Sequence, residues 1–545
     1  MSPLLLVSPV LLPMLGFIIS LGFWKRPPLQ RWINIVVSVS LVAVGATLVW
    51  AAADGEVGAV RLGDWPAPVA ITFVVDRLAA VMILFAGVVA TAASLYSLGG
   101  IDRRREAFGF HPLMLTLLAA VCGAFLTADL FNLYVWFEVM LLSSFVLLSL
   151  GGGRHQLEGA IKYVALNLLS SALFLGAIGL TYGMLGTLNM ADLAEKLAAA
   201  EQPERFTPVA AVFITAFSIK AAAFPFFFWL PASYHTPPAI ISAVFGALLT
   251  KVGVYVIIRF FSLMYPGSHP DAALVYETLG WIAGTTMLLG VLGAAVQTNM
   301  RRLLSFHIVS QIGYMLMGLA IAGAALAVAE RPGLDEAERN AALAAATLAL
   351  AGAVLHTLHN MIVKGGLFLV AGVVERTEGA DDLNRVGGLY KSRPGLAAIF
   401  FVLAMSLAGI PVLSGFWSKV LLVKAGLEAQ AYGLIATSLL VSVVTLFSMT
   451  KIWMYAFWKP APEPSPIAES DRVSSIGTRD PRSGRGLWAM YAGCLILATG
   501  AVVMGAFAAP IVDYVEAAAA NVIDPRNYFD AVLDRPQRLS TEATP

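Results

Sequence analysis

Apolar runs of about 20 residues, the length an α-helix needs to cross the hydrocarbon core of a bilayer, recur from Pro3 almost to the C-terminus of this chain. Backbone groups in lipid must bond to one another, which leaves only helices and closed barrels. The short alternating segments of a barrel are absent. Composition agrees: 59% of the 545 residues are hydrophobic and 13% charged, against about a quarter charged in soluble domains. Lys and Arg number 35 against 34 Asp and Glu, so no basic excess exists to hold a nucleic-acid backbone. The chain reads as an all-α integral membrane protein, and a water-soluble enzyme is excluded.

About fourteen spans are expected, near 3–24, 32–52, 73–98, 111–128, 130–150, 160–186, 207–235, 238–265, 275–298, 301–326, 340–374, 394–427, 431–458 and 487–510. The first lacks a basic flank and a cleavage site, and reads as a retained helix. Basic loops (Lys25 to Arg31, Arg103 to Arg105, Arg154 and Lys162, Arg301 and Arg302, Arg376 to Arg393, Lys459 to Arg485) alternate with acidic ones such as Asp54 to Asp64 and Glu330 to Glu338. The positive-inside rule places the basic set in the cytoplasm and both termini outside. The Pro/Ser/Gly/Arg-rich segment 459–486 is expected to be a mobile cytoplasmic loop, and 487–545 a last helix with a mixed tail. Cys122 and Cys494 lie inside apolar runs and offer no metal or redox spacing.

Two spans are interrupted in corresponding ways, one by Pro225 and Pro231, the other by Gly409, Pro411 and Gly415. Proline removes a helix hydrogen bond, so broken helices 7 and 12 are expected. Breaks five spans apart suggest two inverted five-helix repeats, 111–265 (helices 4–8) and 273–458 (helices 9–13), after three N-terminal helices in 1–110. Proline kinks that only shape packing are the plainer reading of the same breaks.

Ionisable residues inside these runs tip the balance towards transport. Lys220, Lys251, Lys364, Lys419 and Glu138 all lie within apolar stretches, where a charge costs on the order of 3 kcal/mol on insertion scales. Snorkelling to the interface accounts for Lys424, Lys451 and Lys459, and is the favoured reading of Lys162 and Arg259. Glu138 is too short and too deep for that, and Lys220 is its natural partner, either as a switch that opens or as a static pair. His307 and Gln311 share a helix face at i, i+4; His356, Asn360 and Lys364 follow at i, i+4, i+8, with His359 beside them. Side chains of these types on successive spans read as a proton wire across the membrane plane. Asp76 and Asp129, near span ends, read as caps or loop contacts. No HExxH, P-loop, haem CxxCH or dinucleotide fingerprint appears, so no cofactor is expected.

The segments WFE (Glu138), SIKAAAFP (Lys220), LLTKVGVY (Lys251), HNMIVKGGLF (Lys364) and SGFWSK (Lys419) together resemble the antiporter-like subunits shared by respiratory complex I and multi-subunit cation/proton antiporters. The resemblance covers about residues 70–460. SYHTPPAIISAVFGALLTKVGVYVIIR looks most like the D-type subunits of Mrp-type Na+/H+ antiporters. It implies a multi-pass cell-membrane protein, a transporter subunit and not itself an enzyme, held in a hetero-oligomeric complex with other membrane subunits. It also implies that protons pass along Glu138, Lys220, Lys251, Lys364 and Lys419 in exchange for Na+ leaving the cell. Gln311 departs from the family, where histidine is frequent; a water or His307 would have to bridge there. A proton-pumping subunit of a redox complex, complex I or a membrane-bound hydrogenase, is the alternative.

Overall fold

Each long apolar run forms a helix because a helix leaves no interior backbone group to lipid. The structure, a computed structural model, describes residues 1–460 and 486–536. Most of the expected mobile loop (461–485) and the last residues of the tail (537–545) therefore lie outside the described residues. In chain order the first elements are α1 (Pro3–Gly22), α2 (Pro27–Ala51), a hairpin of β1 (Gly58–Arg61) and β2 (Thr72–Val75), α3 (Arg77–Gly100) and the short α4 (Arg103–Ala107). Then follow α5 (Phe110–Leu126), α6 (Leu130–Ser149), α7 (Arg154–Leu185), α8 (Met190–Ala198), α9 (Thr207–Ala221) and α10 (Trp229–Ser233). The single helix α11 (Ala239–Met264) contains a π turn at Phe245–Leu249.

The second half comprises α12 (Ala272–Ala295), α13 (Met300–Ala329), α14 (Glu336–Glu378), the one-turn α15 (Leu389–Ser392), α16 (Pro394–Ala408) and α17 (Ser414–Glu428). It continues with α18 (Tyr432–Trp458), whose last six residues form a π turn. The described chain ends in α19 (Leu487–Ala506), α20 (Ala508–Ile523) and α21 (Arg526–Val532). Among the described residues, eleven helices are long and apolar enough to cross a membrane, by length and composition. The other apolar stretches are the shorter α5 and the interrupted pairs α9–α10 and α16–α17.

Two span limits need correction here, and the tail takes a definite form. The third span does not begin at residue 73, because 72–75 pair with 58–61 as an antiparallel hairpin and Asp76 caps α3 through the Ala79 amide at 2.8 Å. Helix α14 runs for 43 residues, well beyond the expected 340–374, since Asp335 and Glu338 form a capping box that starts it in the polar loop. The tail after residue 510 continues as helices α20 and α21, with Tyr514 donating to the Arg77 carbonyl and Arg77 donating to Asn521.

Packing centres on two helices. Every residue of α11 but Ser262 is buried, and α14 touches α3, α11, α13, α16, α17, α19 and α20. A helix apolar on all sides has to sit inside the protein, whereas α1 and α2, buried along one stripe each, face outward.

One polar cluster closes the chain near α4. Arg31 forks onto Glu106 through Nε and Nη2, and His111 Nε2 donates to Glu106 at 3.0 Å. Asn34 donates to His111 Nδ1 at 3.1 Å, so the ring proton sits on Nε2. Burial alone would raise the Glu106 carboxyl, but the hydrogen bonds from Arg31 and His111 hold it at about 2, below the ordinary 4.5. A depressed carboxyl stabilises the fold above its unfolded value and loses that contribution as pH falls towards the folded value. The expected advantage of wild type over Glu106→Gln is ~2 to 3 kcal/mol above about pH 5, vanishing by about pH 2. Thermal denaturation of the purified protein across pH would show it; a gap that stays constant to the lowest pH refutes the assignment.

Candidate functional site: a buried polar row

The first broken segment places Lys220 in the last turn of α9, which ends where Ala222 turns into the left-handed region (φ 60°). Residues 222–228 are not helical, and Pro225 lies among them. Pro231 does not break the helix, contrary to expectation. It is the third residue of α10, a first-turn position where the missing N–H would have no partner in any case. The carbonyl end of α9 carries partial negative charge that favours an ammonium. Lys220 Nζ donates to Ser171 Oγ on α7 at 3.3 Å and stands 5.5 Å from the Phe137 ring centre on α6.

Glu138 departs from the reading of a deeply buried carboxylate. It is only half-buried on the flank of α6, with Oε1 enclosed and without a hydrogen-bond partner. No ion pair within 4.0 Å joins it to Lys220 among the described residues, and Lys220 turns to Ser171 instead. Arg259 differs from expectation in the opposite sense. It does not snorkel but forms a buried pair with Asp76 at 2.6 Å, beneath the Tyr528 ring at 4.9 Å. Asp76 thus caps α3 and neutralises Arg259 at once. Asp129 caps α6 through the Asn132 amide at 2.7 Å. Lys451 reaches the Ala295 and Gln297 carbonyls at the end of α12, and Lys162 is exposed beside Glu158.

Lys251 is fully buried on α11, directly after the π turn. A π turn displaces the i→i−4 ladder and frees a carbonyl. Lys251 Nζ takes up the Gly246 carbonyl at 2.6 Å, with Thr250 Oγ1 at 3.4 Å. The lysine is thereby seated on its own helix and not on a partner carboxylate.

The centre of the row lies between α13, α14 and α17. His356 Nε2 meets Gln311 Oε1 at 3.1 Å and His356 Nδ1 meets Ser418 Oγ at 2.9 Å. An amide oxygen only accepts, so His356 carries its proton on Nε2 and Nδ1 accepts from the serine. Gln311 itself contacts His356, and its amide donates to Ser310 at 3.2 Å. His307 is not the bridge there; its Nε2 pairs with Ser448 on α18 at 2.8 Å. His359 Nδ1 meets Ser414 Oγ at 2.8 Å, and Ser414 meets Ser406 at 2.9 Å. Asn360 donates to the His356 carbonyl.

Lys364, two turns further along α14, is fully buried and its Nζ has no partner. His307 Nδ1, His359 Nε2 and Asn360 Oδ1 are enclosed and unpartnered as well. Each such atom costs roughly 1–3 kcal/mol in a packed interior. Lys419, on the far side of the second break, is half-buried and donates to the Leu407 and Ala408 carbonyls at 3.2 and 2.9 Å. Those are the last carbonyls of α16, so both broken helices hold a lysine at their C-terminal end. Pro411 lies in the gap between α16 and α17, where Gly409 at φ 90° makes the turn. At Gly415 a Cβ would stand 1.9 Å from the Ser406 carbonyl and 2.9 Å from the His359 ring, so only glycine lets α17 start there.

The predicted residues therefore form four separate hydrogen-bonded groups, Lys220 with Ser171, Gln311 and His356 with Ser418, His359 with Ser414 and Ser406, and His307 with Ser448, while Lys251, Lys364 and Lys419 join none of them. Ser414, Ser418 and Ser448, which complete the histidine contacts, were not among the expected residues. For Ser448 a signal was present: Ser438, Ser442, Thr445 and Ser448 recur at helical spacing on one face of α18, and Tyr314 bonds to the Ser438 carbonyl and, at 2.7 Å, to Ser442. Among the described residues no group of three or more His, Cys, Asp or Glu converges as metal ligands.

The family described as NADH:quinone oxidoreductase/Mrp antiporter, TM, matches residues 127–329 and 340–445. A protein of Alkalihalophilus pseudofirmus, named as the D-type subunit of a Na+/H+ antiporter, is 38% identical over 529 residues, 97% of this chain and 99% of that one. A chain in a solved Mrp complex from a Dietzia species superposes with a TM-score of 0.85 at 29% identity, covering 98% of this chain and all of that one. A chain of an archaeal membrane-bound sulfane sulfur reductase superposes at 0.79 with 23% identity over 96% of this chain and all of its own, a likeness of fold alone. With a family match across both halves of the polar row and a relative aligned nearly end to end, this chain belongs to the NADH:quinone oxidoreductase/Mrp antiporter transmembrane family.

Proposed function

We propose that this protein is a membrane subunit of an Mrp-type Na+/H+ antiporter in the cell membrane, with both termini outside, and that it carries the proton branch of the exchange. The observation that carries this reading is the fully buried set Lys251, His307, Gln311, His356, His359, Asn360 and Lys364 on three packed helices. Desolvating so many titratable side chains is costly, and a cost of that kind kept inside a membrane protein marks an ion or proton path. Unpartnered atoms on His307, His359, Asn360 and Lys364 supply donor and acceptor sites for proton relay. Lys220 lies in the last turn of the first broken helix and Lys419 bonds to the last carbonyls of the second, so a small backbone shift at either break alters an ammonium's surroundings. Glu138 and Lys419 are the half-exposed members of the row, and neighbouring subunits of the complex complete it there.

Two inverted repeats, 111–265 and 273–458, are part of the same proposal. The order of elements supports it: α5, α6 and α7, then a broken helix, then α11 with its π turn; α12, α13 and α14, then a broken helix, then α18 with its π turn. A chain of an archaeal respiratory membrane complex shares this fold, but the relative aligned nearly end to end is named as part of an antiporter.

The test is Na+-dependent dissipation of a proton gradient in everted vesicles that contain the whole complex, with this chain either wild-type or Glu138→Gln. Exchange is expected to fall by about tenfold or more, equivalent to ~1.4 kcal/mol, with assembly intact. Unchanged exchange would move the proton route to a partner subunit. No Na+ response in wild type would favour the redox reading.

A further inference from the structure

We propose that a zwitterionic phospholipid with a primary-amine headgroup, of the phosphatidylethanolamine type, binds in the groove between α12, α13 and the start of α18. The groove measures about 740 Å³ and lies on the outer flank of the second half of the fold, away from the polar row. Its floor is formed by Gly280, Gly284, Ala320 and Ala324, and Leu434 closes one side. A Cβ on Gly284 would meet only Leu434, at 3.5 Å, and one on Gly433 would meet nothing within 4 Å, so the space is open.

Size selects among occupants. A membrane-spanning helix about 10 Å wide and 30 Å long fills on the order of 2,000 Å³, far more than this groove offers. Acyl chains are narrow enough to enter it. The headgroup is selected at the mouth, where Arg331 follows the end of α13 and Glu277 lies in the second turn of α12. Both line the groove, both are exposed, and neither has a salt bridge or side-chain hydrogen bond among the described residues. An arginine forks onto phosphate, and a carboxylate accepts from a primary ammonium. An anionic headgroup without an amine would leave Glu277 facing like charge. Trp281 and Tyr432, 71% and 62% exposed beside this mouth, are the aromatic types that settle at headgroup level.

The test uses the intact complex, delipidated in detergent and incubated with mixed micelles containing phosphatidylethanolamine, phosphatidylcholine or phosphatidylglycerol, with retained lipid counted by native mass spectrometry. Wild type is expected to retain phosphatidylethanolamine in preference to the other two. Arg331→Gln is expected to weaken retention about tenfold, the worth of one charge-assisted contact, and Gly284→Leu to abolish it by filling the groove. Glu277→Gln is expected to erase the preference over phosphatidylglycerol. Equal retention of all three lipids, or retention unaffected by Gly284→Leu, overturns the proposal. So does a photo-crosslinker at position 433 that captures a neighbouring protein of the complex in native membranes. Neither readout depends on ion exchange, so the outcome is separable from that of the antiport reading.

Discussion

Replacing Lys364 by methionine is expected to abolish proton-coupled exchange while leaving the protein as stable as wild type or more so. The two halves of this expectation come from one observation. Lys364 is fully enclosed on α14 and its ammonium has no protein partner. A charge held in such a place costs several kcal/mol, and methionine is an unbranched apolar side chain of similar length that adapts to the same space. Removal of the amine should therefore raise stability by ~1 to 3 kcal/mol. If protons pass through this position, transport should fall at least about a hundredfold, or ~2.7 kcal/mol. Lys251→Met is the contrasting case, because it removes the bond that the Gly246 carbonyl receives from the ammonium, at a cost of roughly 1–3 kcal/mol. Exchange at the wild-type rate in an assembled Lys364→Met complex would remove this lysine from the route. A large loss of thermal stability would instead make it structural.

Asp76→Asn is expected to be the most destabilising conservative substitution in the chain, by about 3 to 5 kcal/mol. Asparagine caps a helix nearly as well as aspartate, so the bond to the Ala79 amide survives and only the charge is lost. Arg259 is then left buried, with the Tyr255 hydroxyl at 3.4 Å and the Tyr528 ring as its remaining polar neighbours. The double variant Asp76→Asn/Arg259→Met removes both charges and should recover most of the loss. Thermal stability of the four purified proteins forms a double-mutant cycle that measures the coupling. Single variants within about 0.5 kcal/mol of wild type would show that the pair is solvated in the working protein.

How far each feature was legible depends on the range over which its physics acts. Apolar length and polar loops are local, so the sequence alone was enough for the nearly all-helical membrane architecture, the break at Gly409 and Pro411, and the placement of Lys220, Lys251, His356 and Lys364 inside the fold. Short-range signals misled where a position inside the helix mattered. Pro231 looked like a breaker, but a proline in a first turn removes no bond, and the chain turns earlier, at Ala222.

Partner choice was decided only by the tertiary structure. Glu138 and Lys220 are a reasonable pair by charge, yet the packing of α6, α7 and α9 turns the lysine to Ser171 and leaves the carboxylate on a flank. Arg259 and Asp76 are 183 residues apart in the chain and meet because the folded helices bring them together. Gln311, which seemed to interrupt the row, contacts His356 directly once α13 and α14 are side by side. Burying a charge has a cost that composition already reveals, whereas its compensation depends on distances of a few ångströms between helices remote in sequence, and those distances exist only after the helices have packed.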